Sequence, residues 1–133
     1  MATVTYIGEF REFGYPHAPS MADAVEQLTE DVRVTVERYI RNGVTVAAVP
    51  GSSRDVLDGA THLVSPSLLT DGTYLWRKDL AHYVNKYGIA LPEQFIAHAV
   101  AAVRRPTELT SEQQQAVGEL LRRMHADPQA QEP

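Results

Sequence analysis

The chain is expected to fold as an α+β domain: a small mixed or antiparallel sheet around a central hairpin at about residues 67–76, covered by helices, with a helical C-terminus. Three observations lead there. Thr70-Asp71-Gly72-Thr73 is a hairpin signal, because a type I′ turn needs positive φ at both central positions and Asp-Gly accepts that at little cost. From Leu80 the apolar period lengthens. Leu80, Tyr83, Val84 and Tyr87 fall at i, i+3, i+4 and i+7, the stripe of an amphipathic helix. Thr110-Ser111-Glu112-Gln113 is a capping-box pattern ahead of Val117, Leu120, Leu121 and Met124, again at helical spacing.

Taken in order, Thr3 to Ile7 alternates and is rich in β-formers, a first strand. Gly8 to Pro19 is loop, punctuated by Gly14, Pro16 and Pro19. Ser20 can cap a helix whose apolar positions Val25, Leu28, Val32, Val36, Tyr39 and Ile40 keep helical spacing to Asn42-Gly43. Val32, Val34 and Val36 also alternate, so a strand ending in an Asn-Gly turn competes. The helix is preferred because Tyr39-Ile40 breaks the alternation and Arg38 and Arg41 suit a helix C-terminus. Val44 to Val49 is a continuous apolar run closed by Pro50-Gly51, the pattern of a buried strand. Ser52 or Ser53 can cap a short helical turn through Val56 and Leu57, and Thr61 to Val64 is a strand leading into the hairpin. Its flanks, Ser67-Leu68-Leu69 and Tyr74-Leu75-Trp76, pair. The helix after Trp76 stops at Gly88, where a left-handed residue is needed. Pro92 opens the next, which runs to Arg104 and Arg105 and ends at Pro106. Residues 1–126 read as one domain with helices on one face or at one end of the sheet, and residues 127–133 as a disordered polar tail.

The chain has no cysteine, which excludes disulfides, thiolate metal sites and cysteine nucleophiles and suits a reducing cytoplasm. No apolar run approaches a membrane span, and MATVTYIGEF is not a secretory signal, so a cytoplasmic protein without membrane attachment is expected. Seventeen acidic residues against twelve basic ones give a formal charge of −5, which argues against nucleic-acid binding. The charge is uneven, at −4 over residues 1–70, +2 over 71–105 and −3 over 106–133. Half of the ten aromatic residues lie between Ser65 and His98.

Chemistry-bearing residues are few. Asp79 and His82, three apart on a helix, share a face, and a carboxylate beside an imidazole suits a general base. An exposed, non-catalytic pair is the expectation, with catalysis by Asp79 and His82 near Arg54 as the alternative. No two of His17, His62, His82, His98 and His125 stand at i, i+4, so no metal and no cofactor are expected. Residues 49–55 read as a strand-to-helix connection. Arg77 and Lys78 sit where a helix dipole disfavours cations. Either they precede a helix capped by Asp79, or they serve an acidic partner beside Tyr74 and Trp76, the residue types of binding hot spots. Trp76 is expected in the core against Tyr83 and Phe95, with the binding patch Tyr74, Trp76, Arg77, Lys78 and Arg54 as its surface alternative.

The run TDGTYLWRKDLAHYVNKYGIALPEQFIAH, with VAAVPGSSRDVLDG upstream, resembles a family of small actinobacterial proteins marked by the Thr-Asp-Gly hairpin, Asp-Leu, Tyr-Val and Leu-Pro-Glu-x-Phe. The likeness covers roughly residues 44–98 and is silent on chemistry. In size, acidity and α+β character the chain is also similar, without residue-level matches, to immunity proteins that neutralise bacterial toxins. The expected function is therefore a non-enzymatic protein-interaction module with a protein partner, basic in charge. A homodimer is left open.

Overall fold

The computed structural model describes residues 3–102 and 108–126. Its elements are, in chain order, β1 (Thr5–Tyr6), α1 (Glu30–Arg41), β2 (Val44–Ala47), β3 (Ser53–Arg54), β4 (His62–Leu63), β5 (Leu68–Thr70), β6 (Tyr74–Arg77), α2 (Leu80–Tyr87), α3 (Glu93–Ala101) and α4 (Ser111–Ala126). The fold is α+β. A mixed sheet of order β1-β6-β5-β2 has the hairpin β5-β6 at its centre, β1 parallel to β6 and β2 antiparallel to β5. β3 and β4 form a separate two-stranded ribbon.

The hairpin forms where expected, but its turn is not type I′. Gly72 is left-handed, with φ 97°, while Asp71 is not, and Thr70 lies opposite Leu75. The Asp71 carboxylate accepts the Thr73 and Tyr74 N–H groups at 2.9 and 2.8 Å, and the Thr70 hydroxyl accepts that of Gly72 at 3.0 Å. Side-chain acceptors thus replace the backbone pairing of a two-residue turn and open the loop by two residues.

Three other expectations change. The helix read from Ser20 to Asn42 is two pieces, a 3₁₀ turn at Met21–Ala24 capped by the Ser20 hydroxyl and then α1. Between them Glu26 takes φ 58°, and Glu26 and Gln27 donate their N–H groups to the carbonyls of Tyr87 and Gly88. Tertiary bonds to the end of α2 outweigh local helical spacing there. Val32 to Ile40 is helix. The run from Val44 is an edge strand that leaves Thr45, Ala48 and Val49 exposed, because small apolar residues satisfy the pattern of burial without being covered. Ser53 sits in β3 rather than capping a helix, and β4 pairs with β3 instead of entering the main sheet.

The C-terminal half follows its signals closely. Gly88 ends α2 in the left-handed conformation at φ 59°, and Arg33 of α1 donates to the carbonyls of Val84 and Lys86 at that end. Pro92 is the residue flanking α3. The end of that helix expected at Arg104–Pro106, and the tail at 127–133, lie outside the described residues. Thr110 and Gln113 exchange the reciprocal bonds of a capping box at 2.9 and 3.1 Å.

Helices cover both faces of the sheet rather than one. On one side Leu69 and Trp76 pack with Tyr39 and Ile40 of α1 and Phe95 of α3. On the other, Val4 and Leu75 pack with Val117, Leu121 and Met124 of α4. Burial of these faces supplies the main stabilisation. Trp76 is fully buried and donates its indole N–H to the Ile40 carbonyl at 2.9 Å. Its ring neighbours are Phe95 at 5.5 Å and Tyr39 at 6.0 Å. Tyr83, expected beside it, packs on Phe13 instead. A Cβ at Gly43 would stand 2.8 Å from the Trp76 ring and 3.1 Å from the Leu69 Cβ. Gly43→Ala is therefore expected to destabilise by about 1–3 kcal/mol through overpacking, measured by urea denaturation. Among the described residues, no helix is long and apolar enough to cross a membrane.

Candidate functional site

Asp79 and His82 face different partners. Asp79 is buried, and its carboxylate takes both forks of Arg77 at 3.0 and 2.7 Å and the Ser53 hydroxyl at 2.8 Å. It stands at the start of α2 without capping it through its side chain. The Arg77 guanidinium also lies over the Phe13 ring, 3.9 Å from its centroid. Burial works to lower the Arg77 pKa, but the Asp79 carboxylate outweighs it and the net shift is upward. The Arg77 cation at this helix start is thus accounted for locally. Arg77 is neutralised by Asp79, two residues on, and the backbone N–H of Lys78 closes the strand by donating to the Ser67 carbonyl at 2.7 Å.

His82 is held by Asp55. Its Nε2 is 2.7 Å from Asp55 Oδ2, which also accepts from the Tyr87 hydroxyl at 3.0 Å, while Oδ1 takes the N–H groups of Leu57 and Asp58 at 2.8 and 3.0 Å. The same arrangement recurs at Asp71. Oδ1 accepts the two turn N–H groups already described, and Oδ2 meets the Tyr39 hydroxyl and His98 Nε2, the latter at 2.9 Å. Each carboxylate fills about four acceptor positions, its full complement when ionised. Both aspartates therefore fasten a turn to a helix through a histidine and a tyrosine, and neither has a lone pair left for a substrate proton. Asp58 repeats the turn motif on the surface, accepting from the Thr61 hydroxyl, the Ala60 and Thr61 N–H groups and Lys86, which holds its carboxyl well below the usual range, the Thr61 hydroxyl most of all.

Burial pushes the Asp55 pKa up, yet the bonds from His82, Asp58 and Leu57 prevail and the net shift is downward from 3.8. Glu12 behaves alike, its burial offset by bonds from Met21 and Ser20, with a net fall from 4.5. A carboxyl that titrates lower when folded stabilises fully above its unfolded value, and that contribution is lost as pH falls through the folded value. Denaturant midpoints are accordingly expected to hold between pH 7 and 5 and to drop below about pH 4.

The remaining sequence candidates do not converge on one patch. Trp76 is core. Tyr74 is half-buried against Phe95 and His98, and Arg54 is exposed on the β3-β4 ribbon. Among the described residues, no three histidine or acidic side chains gather where they could hold a metal ion.

A well-formed concavity lies elsewhere, beside β1 in the segment read as plain loop. It is a groove of about 670 Å³ whose lining includes Tyr6, Glu9, Phe10, Tyr15, His17 and Pro92. That volume is within the usual range for ligand sites. The loop forming its wall is fixed from beneath. Arg11 N–H donates to the Pro19 carbonyl at 3.0 Å, and the Glu12 carboxylate takes Met21 N–H at 2.7 Å and the Ser20 hydroxyl at 2.6 Å. The Tyr6 and Tyr15 rings stand 6.0 Å apart, tilted by 32°. Burial and the neighbouring Tyr15 push the Tyr6 phenol well above its ordinary value. The groove contains no lysine or arginine, and its one acid, Glu9, is exposed and makes no hydrogen bond or ion pair with any described residue. The overlooked signal was composition. Phe10, Phe13 and Tyr15 within a loop bounded by Gly8 and Pro19 are too many aromatic rings for a solvated connection.

Comparison of the chain with protein-family models, with curated proteins and with solved structures returns no match.

Proposed function

We propose that this chain is a non-enzymatic protein-interaction module working in the cytoplasm, of the toxin-neutralising immunity type, whose acidic surface masks a basic partner. The observation that carries this reading is the groove beside β1: wide, held in shape by Glu12, aromatic, and charged only by an unpaired carboxylate. Rigid aromatic surface with a polar rim is what protein interfaces are made of. The buried aspartates support it from the other side, since Asp55 and Asp71 are spent on fastening turns and Asp79 on Arg77 and Ser53. The alternative of a small enzyme built on Asp79 and His82 near Arg54 lacks the carboxylate–imidazole contact it needs.

Co-expression with the proteins encoded on either side of its gene tests the proposal. A complex stable through size-exclusion chromatography, or relief of growth arrest caused by one of those proteins, is expected. Neither complex nor relief with any of them would sink it.

A further inference from the structure

We infer that the groove beside β1 is an arginine-binding site, taking the guanidinium of one arginine in an extended segment of the partner protein. This rests on the interaction-module reading and adds the chemistry of the contact. Three features converge. The groove's lining carries a single formal charge at neutral pH, Glu9, which makes no ion pair with any described residue, in a chain of net charge −5. Tyr6 and Tyr15 place two rings at the same mouth, and both line the adjoining hollow of about 380 Å³ with Glu9. A carboxylate beside aromatic faces selects a cation with an apolar stem, by ion pairing and by attraction to the ring faces.

Arginine is favoured over lysine because a planar guanidinium can stack on a ring and fork to a carboxylate at once, whereas an ammonium is a compact, strongly hydrated charge. The protein already uses this combination internally: Arg77 lies over Phe13 while forked to Asp79. At the groove the ring and the carboxylate are present and the guanidinium is supplied from outside. Arg123 of α4 lines the adjoining hollow and makes no ion pair with Glu9 or any other described residue, so it flanks the site as a competitor for the same carboxylate. The lining prolines Pro16, Pro19 and Pro92 give rigid walls suited to an extended chain rather than a helix.

The probe is the pentapeptide Ac-Pro-Pro-Arg-Pro-Pro-NH2, with citrulline and lysine counterparts that remove the charge or the planar fork. Each is titrated into the ¹⁵N-labelled full chain. Expected are shifts at the amides of Tyr6, Gly8, Glu9 and Tyr15, binding at least tenfold weaker for the citrulline peptide, and weaker binding for lysine. Glu9→Gln should abolish the arginine–citrulline difference, and Arg123→Ala should tighten the arginine peptide. Equal binding of arginine and citrulline peptides would mark a neutral proline-rich ligand and overturn the assignment, as would the absence of shifts at those amides. Such a failure is separable from failure of the module reading, which is decided by complex formation with the neighbour-encoded proteins.

Discussion

Replacing Trp76 by alanine is expected to cost about 3–5 kcal/mol, a large part of the roughly 5–15 kcal/mol that holds a domain of this size together. The indole is the largest fully buried side chain and fills the space between α1, α3 and the hairpin. Its loss leaves a cavity against Phe95 and Tyr39 and takes one of its donors from the Ile40 carbonyl at the point where α1 ends. Equilibrium denaturation reads the loss directly. Because it is the only tryptophan, the wild-type emission should be blue-shifted and poorly quenched by iodide. Exposed-type emission would contradict the core placement.

Asp71→Ala should be of comparable severity, about 3–5 kcal/mol, through a different mechanism. It removes four hydrogen bonds at one stroke and leaves the Tyr39 hydroxyl without the acceptor it points to at the carboxylate. Stranded donors lose their full compensation for desolvation, about 1–3 kcal/mol for each buried group. Asp71→Asn keeps the shape and the acceptor at Oδ1 and should cost clearly less. If alanine and asparagine proved equally mild in thermal melts, the carboxylate would not be fastening the hairpin.

Local chemistry was the legible part of this chain. Gly88, the Thr110–Gln113 box and the β5-β6 pairing follow from requirements that a few neighbouring residues meet by themselves. What was hidden depends on distant partners. The break at Glu26 exists because the carbonyls of Tyr87 and Gly88 need donors, which no window around residue 26 reveals. Val44 to Val49 was apolar enough for the interior, yet the sheet ends there. Asp79 does stand at the start of the helix that carries His82, but Arg77 just ahead of it and Ser53 take its carboxylate, while Asp55 arrives from another segment to take His82. The repeated use of an aspartate Oδ1 to take the N–H groups two and three residues ahead, at Asp55, Asp58 and Asp71, was readable as turn chemistry. That the other oxygen would collect a histidine and a tyrosine at two of these was not. The groove escaped because its residues look like loop and become a wall only once Glu12 reaches Ser20 and Met21.

The central claim is a division of labour, with the groove beside β1 binding and the histidine–aspartate clusters fastening. The most direct measurement compares Glu9→Gln with His82→Gln/His98→Gln for affinity toward the arginine pentapeptide and for melting temperature. The account predicts that the groove variant loses at least tenfold in affinity with its melting temperature nearly unchanged, while the histidine variant melts several degrees lower and binds like wild type when folded. Normal binding by the groove variant, together with lost binding by a folded histidine variant, would contradict it.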